Sequence, residues 1–204
     1  MRITGGKFRS RPLDAPRGSA TRPTSDRVRE ALFAILGSRS SFDGARVLDL
    51  YAGTGALAFE ALSRGARSAL VVESARAPLL AIQANARSLD VLSSVQVVAT
   101  TVERAVATIH KAAPFELVFA DPPYAAIGDG KAVLALQSVL ECPSGLLAAG
   151  GCLVVEHAKD DPAPVLAGVA FVESRRYGDT TLSFYDPGDQ HGAAHSADDA
   201  PCQR

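Results

Sequence analysis

The sequence predicts an α/β fold: a doubly wound, mostly parallel sheet closed by an antiparallel C-terminal hairpin and preceded by a basic N-terminal arm. Three observations predict it. Short apolar runs with little polar alternation recur through the middle of the chain, as in strands buried on both faces. Ala/Leu-rich helical stretches separate them, and strand-helix-strand alternation implies right-handed crossovers. Near the end, two β runs flank Tyr177-Gly178-Asp179, a hairpin signal.

The elements follow in order. Thr24-Ser25-Asp26 supplies capping residues for a helix running to about Leu36, with Val28, Leu32 and Ile35 as its buried stripe. The strand runs are RVLDLY (46–51), ALVVE (69–73), VQVVA (95–99), ELVFA (116–120) and CLVVE (152–156). Between them lie ALAFEALSRG, SARAPLLAIQANARSL, VERAVATIHKA and GKAVLALQSVLE, which read as helices; Gly65 suits a helix C-terminus. Residues 186–204 are rich in Gly, Ala, Asp and Pro and read as a disordered tail. The expected organisation is therefore an arm over 1–24, one domain over 25–185 and a tail over 186–204.

Composition narrows the class. The chain has 204 residues, enough for one domain with a sizeable core. It is 47% hydrophobic and 21% charged, which argues against wholesale disorder. No apolar run is long enough to span a bilayer, and the polar start MRITGGKFRSR is unlike a secretory signal. Cys142, Cys152 and Cys202 lack CxxC spacing, which argues against a zinc knuckle or disulfide scaffold and fits a reducing cytoplasm. His110, His157, His191 and His195 form no ligand pattern, so neither a metal site nor a catalytic histidine is expected.

The formal charge of −1 conceals a split. Residues 1–30 carry a balance of +5, and the remainder carries −6. Such a basic arm suits a phosphate-rich partner, and without an amphipathic stripe before residue 28 it does not suit a membrane.

Two motifs carry chemistry. The first, Val47 to Ala58, places Gly53-Thr54-Gly55 where the first strand turns into a helix, the ligand crevice of open α/β sheets. Glu73 ends the second strand within reach of a ribose. Asp49 places negative charge near the pocket, which disfavours a pyrophosphate and suits an ammonium, as in S-adenosylmethionine. The second motif is Asp121-Pro122-Pro123-Tyr124 at the end of the fourth strand. Two prolines fix a rigid turn there. The Asp121 carboxylate and the Pro122 carbonyl can hold both hydrogens of an exocyclic amine and aim its lone pair at a methyl sulfonium, while Tyr124 offers a face for the base.

AGTG followed by DPPY resembles the amino-methylating class of S-adenosylmethionine-dependent methyltransferases. Gly5 to Arg11, Arg22 to Phe33 and Leu57 to Ala66 resemble the RsmD family, as do Val72-Glu73-Ser74, Val154-Val155-Glu156 and Tyr177 to Thr180. The resemblance covers about residues 1–185. It implies a Rossmann-like class I methyltransferase fold and methylation of a guanine N2 amine in bacterial 16S ribosomal RNA, on free RNA or on a small-subunit assembly intermediate. It also implies a cofactor pocket at Asp49, Tyr51, Ala52, Gly53, Thr54, Gly55, Glu73 and Ser74, with the guanine handled by Asp121, Pro122, Pro123 and Tyr124. Lys7, Arg9, Arg11, Arg22, Thr24, Arg27 and Arg29 would meet RNA. Related methyltransferases often carry an acid just after the third strand. Here Glu103 falls on the next helix, leaving Thr101 and Val102 as adenine neighbours. Nothing in the sequence demands a dimer, so a monomer is expected.

Other readings remain at this stage. A DNA adenine-N6 methyltransferase can share the DPPY logic but usually needs an added target-reading domain. A non-catalytic RNA-binding assembly module would not need Asp121 and Tyr124. A dinucleotide dehydrogenase would favour a third glycine where Ala58 stands.

Overall fold

The structure, a computed structural model, describes residues 1–16 and 26–188. The expected cap residues Thr24 and Ser25, the candidates Arg22 and Thr24, and residues 189–204 of the expected tail lie outside these. The helices are α1 (Asp26–Arg39), α2 (Ala56–Ser63), α3 (Arg76–Ser88), α4 (Val102–Ala112), α5 (Tyr124–Gly128) and α6 (Lys131–Leu140). The strands are β1 (Arg46–Leu50), β2 (Ser68–Glu73), β3 (Val95–Ala99), β4 (Phe115–Ala120), β5 (Leu147–Ala158), β6 (Val169–Tyr177) and β7 (Thr180–Pro187). They form one seven-stranded sheet in the order β3-β2-β1-β4-β5-β7-β6. Pairing is parallel from β3 across to β5 and antiparallel for β5 with β7 and for β7 with β6.

Both sheet faces are covered, which explains the uninterrupted apolar runs. Alternate residues separate into two cores. Val47, Val71, Phe119, Val154 and Phe184 face the layer of α1, α2 and α3. Leu48, Leu50, Val72, Val118, Ala120 and Val155 face the layer of α4, α5 and α6. Phe33 of α1 packs near Phe42 and Phe119, with ring centroids 5.5 and 5.7 Å away. Each such buried aromatic contributes about 1.5–3 kcal/mol relative to exposure.

Several expectations change in detail. The buried face of α1 is Arg29, Leu32, Phe33 and Leu36, with Val28 and Ile35 at its margins. The helix is rotated from the expected stripe so that Phe33 enters the aromatic cluster and Arg29 reaches α2. Strand β5 begins five residues before its apolar run, and Asp186 and Pro187 belong to β7 rather than to the tail.

The largest departure lies at the N-terminus. Residues 1–14 fold into a clasp: Ile3 N–H donates to the Arg11 carbonyl at 3.0 Å and Leu13 N–H to the Met1 carbonyl at 3.1 Å. Ile3 and Leu13 are buried in the main core. The clasp closes on Glu60 of α2, which is wholly buried. Its carboxylate accepts Thr4 N–H (2.8 Å), Thr4 O–H (2.7 Å), Gly5 N–H (2.8 Å), Arg64 Nε (2.9 Å) and Arg29 Nε (3.4 Å). Lys7 N–H donates to the Ser63 carbonyl at 2.7 Å, and a Cβ on Gly6 (φ +76°) would overlap that same carbonyl. Gly6 is therefore required by the closeness of two backbones.

Arg29, expected to meet RNA, is fully buried. It bonds Glu60, Asp26 and the Arg2 carbonyl. A guanidinium surrounded by a carboxylate partner and a helical neighbour is a structural group, not a surface one.

Removing one partner of a buried ion pair leaves the other charge uncompensated, at about 3–5 kcal/mol. Glu60→Ala should lower stability by about that amount in urea unfolding, with little change in the slope. A loss below about 1 kcal/mol would contradict the role assigned to Glu60.

Candidate active site

The strand order reverses between β1 and β4, since β1 continues one way to β2 and β4 the other way to β5. Carboxyl ends of strands at such a switch point form the ligand crevice of an open α/β sheet. Here they open into a cleft of about 820 Å³. All the expected cofactor and guanine residues except Gly55 line it: Asp49, Tyr51, Ala52, Gly53, Thr54, Glu73, Ser74, Thr101, Val102, Asp121, Pro122, Pro123 and Tyr124.

Two carboxylates organise the half of the cleft beside the glycine loop. Glu73 accepts Gly53 N–H through Oε2 at 2.9 Å, and Ser74 and Ala75 N–H through Oε1 at 2.8 and 2.7 Å. One side chain thus fixes the glycine loop and the entry to α3. Gly53 takes φ +54°, and a Cβ there would meet no protein atom within 4 Å, so its face is open to the cleft. Gly55, expected in the pocket, does not line it. It takes φ +75°, and a Cβ would come within 2.8 Å of the Phe59 ring. Its role is the turn into α2 and the packing beneath the loop.

Asp49 is buried at the end of β1. Its Oδ2 accepts Ala58 N–H at 3.1 Å, in the first turn of α2. Among the described residues its Oδ1 has no hydrogen-bond partner. Burial pushes the carboxyl up to about 8, the Ala58 N–H opposes this, and the nearby Glu73 charge adds to it. With Asp49 taking the Ala58 N–H, a donor that a pyrophosphate would need at that helix N-terminus is already used. A cationic group beside Oδ1 would satisfy the orphaned atom.

Burial also raises the Tyr51 phenol to about 12, helped by the charge of Glu103. Glu103 stands in the first turn of α4, on the helix after β3 as expected, yet it also lines the cleft, because that first turn borders it.

The second half surrounds Tyr124. Asp121 N–H donates to the Leu50 carbonyl at 3.4 Å, placing the DPPY turn beside the end of β1. Tyr124 starts the short helix α5, which the sequence did not reveal, and the residue is 37% exposed. Its hydroxyl lies 2.8 Å from Thr180 Oγ1, at the hairpin turn. Thr180 in turn donates to Glu156 Oε1 at 3.4 Å. Glu156, buried on β5, also lines the cleft. It had a signal: Val154-Val155-Glu156 repeats the strand-ending pattern of Val71-Val72-Glu73. Met1, Ala15 and Pro16 bring the clasp to the cleft wall, and Asn85 ties it there. The Asn85 side chain accepts Asp14 N–H at 2.7 Å and donates to the Asp14 and Thr54 carbonyls at 3.1 and 3.2 Å.

The basic candidates divide. Lys7, Arg9, Arg11 and Arg27 are exposed, and Arg11 also donates to the Ser88 carbonyl at 2.5 Å. His157 is buried against Ser183 at 2.7 Å and lies outside the cleft. Among the described residues, no group of three or more His, Cys, Asp or Glu could hold a metal ion, and no helix is long and apolar enough to cross a membrane.

A mixed sheet of this order, with a glycine loop after β1, an acid ending β2 and DPPY ending β4, defines a Rossmann-like class I methyltransferase. The family model described as "Conserved hypothetical protein 95" matches residues 1–186, and the chain belongs to that family, the RsmD family. It is 34% identical over 187 residues to YlbH of Bacillus subtilis, an rRNA methyltransferase by name, spanning 91% of this chain and 98% of that one. It is 40% identical over 124 residues to ribosomal RNA small subunit methyltransferase D of Escherichia coli, a match spanning 61% of this chain and 60% of that protein. The solved structure of yhhF of Escherichia coli, also named for methyl transfer, aligns with a TM-score of 0.74 at 31% identity, covering 93% of this chain and 99% of that one.

The Asp49 environment predicts a pH signature. Its carboxyl lies above its ordinary value in the folded state, so folding favours the protonated form. This contribution is complete below about 4 and is lost as pH rises through about 8. Asp49→Asn should therefore gain stability over the wild type as pH rises across that window, read from melting temperatures. An identical difference at both ends would rule out this environment for Asp49.

Proposed function

We propose that this methyltransferase moves a methyl group from S-adenosylmethionine to the exocyclic N2 amine of a guanine in bacterial small-subunit (16S) ribosomal RNA. The observation that carries it is the shared cleft. A site suited to a cationic, ribose-bearing ligand lies against an acceptor turn suited to an amine. The named rRNA methyltransferase relatives support the RNA substrate.

The residues fit the donor. Asp49 Oδ1 has no partner among the described residues, and the amino group of a methionine moiety would supply one. Glu73 stands where a ribose would lie, and the Gly53 face leaves room for close approach. Thr101 and Val102, with Glu103, line the far part of the cleft and would border the adenine. When bound, the sulfonium supplies an activated methyl group.

The protein's work is then orientation and electrostatics. Asp121 and the Pro122 carbonyl would accept the two amine hydrogens and favour a pyramidal nitrogen. On gaining the methyl group the amine nitrogen would become cationic beside Asp121, which would stabilise that charge and accept the released proton, directly or through water. Tyr124, partly exposed and anchored at its hydroxyl, offers a fixed face for an extruded base. Lys7, Arg9, Arg11 and Arg27 would attract phosphate from the clasp and α1. The work fits a monomer in the cytoplasm, acting on free 16S rRNA or on a small-subunit assembly intermediate.

Asp121→Ala should reduce methyl transfer by at least about 100-fold while leaving S-adenosylmethionine affinity nearly unchanged, measured by calorimetry and single-turnover kinetics. Mass spectrometry of 16S rRNA from cells lacking the protein should show loss of one N2-methylguanine, restored by wild type and not by this variant. Ammonium binding requires ionised Asp49, so S-adenosylmethionine affinity should rise from pH 6 towards about 8. NAD(H) binding without S-adenosylmethionine binding would refute the donor assignment.

The basic surface makes a separate forecast. Arg9→Ala should weaken RNA binding and reduce the salt slope by about one. Arg29→Ala should instead lower the unfolding midpoint, because its charge is buried.

A further inference from the structure

From the geometry we infer that Glu156 is a specificity-determining residue that accepts the N1–H of the target guanine, and thereby rejects a base whose N1 is an acceptor. The inference rests on the guanine-N2 reading above.

Glu156 is a carboxylate only 6% exposed, yet it lines the same cleft as Asp121, Pro122 and Tyr124. Its place follows from strand register. Ala120 pairs with Val155 in the parallel β4–β5 ladder, so Asp121 and Glu156 are the next residues on adjacent strands. A guanine presents N1–H beside its N2 amine, on one edge. Asp121 and the Pro122 carbonyl are occupied by the amine. The neighbouring hydrogen then needs an acceptor one strand away, where Glu156 stands.

The carboxylate is also oriented relative to the base. Thr180 has one hydroxyl proton, and it is donated to Glu156 Oε1 at 3.4 Å. The Tyr124 hydroxyl must then donate to Thr180 Oγ1 across 2.8 Å. One threonine at the β6–β7 turn thus sets the stacking ring and the acceptor in a common frame. A carboxylate accepts and cannot donate when ionised. Against adenine, or any purine with an unprotonated N1, two acceptors would face each other in a buried place. That arrangement separates guanine-N2 transfer from adenine-N6 transfer, although both can use a DPPY turn.

2-Aminopurine tests this directly, because it keeps the 2-amine but has no hydrogen on N1. Once the methylated position is mapped, an RNA fragment is prepared with either guanine or 2-aminopurine there, and kcat/KM is measured for each. Wild type should prefer the guanine RNA by roughly 100-fold or more. Glu156→Gln can present either an amide oxygen or an amide N–H, so its preference should shrink by about 10-fold or more. A residue that merely supported the fold would lower both rates in parallel, and that result would overturn the inference. So would a wild-type enzyme that uses both RNAs equally, a measurement needing no variant. Failure of wild type to methylate the guanine RNA, with active enzyme confirmed by donor binding, would instead overturn the guanine-N2 reading beneath it.

Discussion

One buried carboxylate, Glu60, holds the N-terminus of this methyltransferase to its sheet. An isolated ionised carboxylate inside a protein is costly, and the cost falls only when donors converge on it. Here the donors arrive from three directions: the clasp backbone at Thr4 and Gly5, Arg29 of α1, and Arg64 one turn along α2. The clasp in turn places Ile3 and Leu13 in the core and carries Met1, Ala15 and Pro16 to the cleft wall. Asn85 forms a second latch between Asp14 and Thr54. The exposed cations of the clasp therefore sit on a mount tied by hydrogen bonds to the wall of the cleft.

The cleft itself follows from where strands end. Asp49, Glu73, Asp121 and Glu156 each stand at or just beyond the carboxyl side of a buried apolar run, on four strands that lie side by side as β2-β1-β4-β5. Their surroundings give them different work. Glu73 is committed to three backbone N–H groups. Asp49 is held by one amide, and its other oxygen has no partner among the described residues. Glu156 shares a threonine with the tyrosine of the DPPY turn. A row of identical chemistry becomes a graded site through local hydrogen bonding.

Much of this was legible beforehand because it depends on short-range pattern. Buried strands force apolar runs, so β3 and α4 match their expected spans at Val95–Ala99 and Val102–Ala112. Gly53, Glu73 and the DPPY turn could be read because each marks a strand terminus. Arg29 and Gly55 were misjudged for a common reason: residue type suggests a role, but burial decides it. An arginine in a basic stretch reads as a phosphate contact until its helix turns it inward. A glycine in a GxG loop reads as ligand-facing until Phe59 is found against it. Glu156 carried the same strand-ending signal as Glu73 and was passed over because its neighbours across the sheet were unknown.

The sequence by itself determined the alternation of strand and helix, the glycine loop after β1, the DPPY turn and the uneven distribution of charge. These are local properties, set by periodicity, turn chemistry and residue order. Only the tertiary structure decided that the basic N-terminus is a clasp rather than a loose arm, because its anchor is a carboxylate 55 to 56 residues away in the chain. It alone brought Thr180 to Tyr124 and Glu156, since β7 inserts between β5 and β6. Long-range pairing depends on which surfaces can be buried together, and no window of neighbouring residues contains that information.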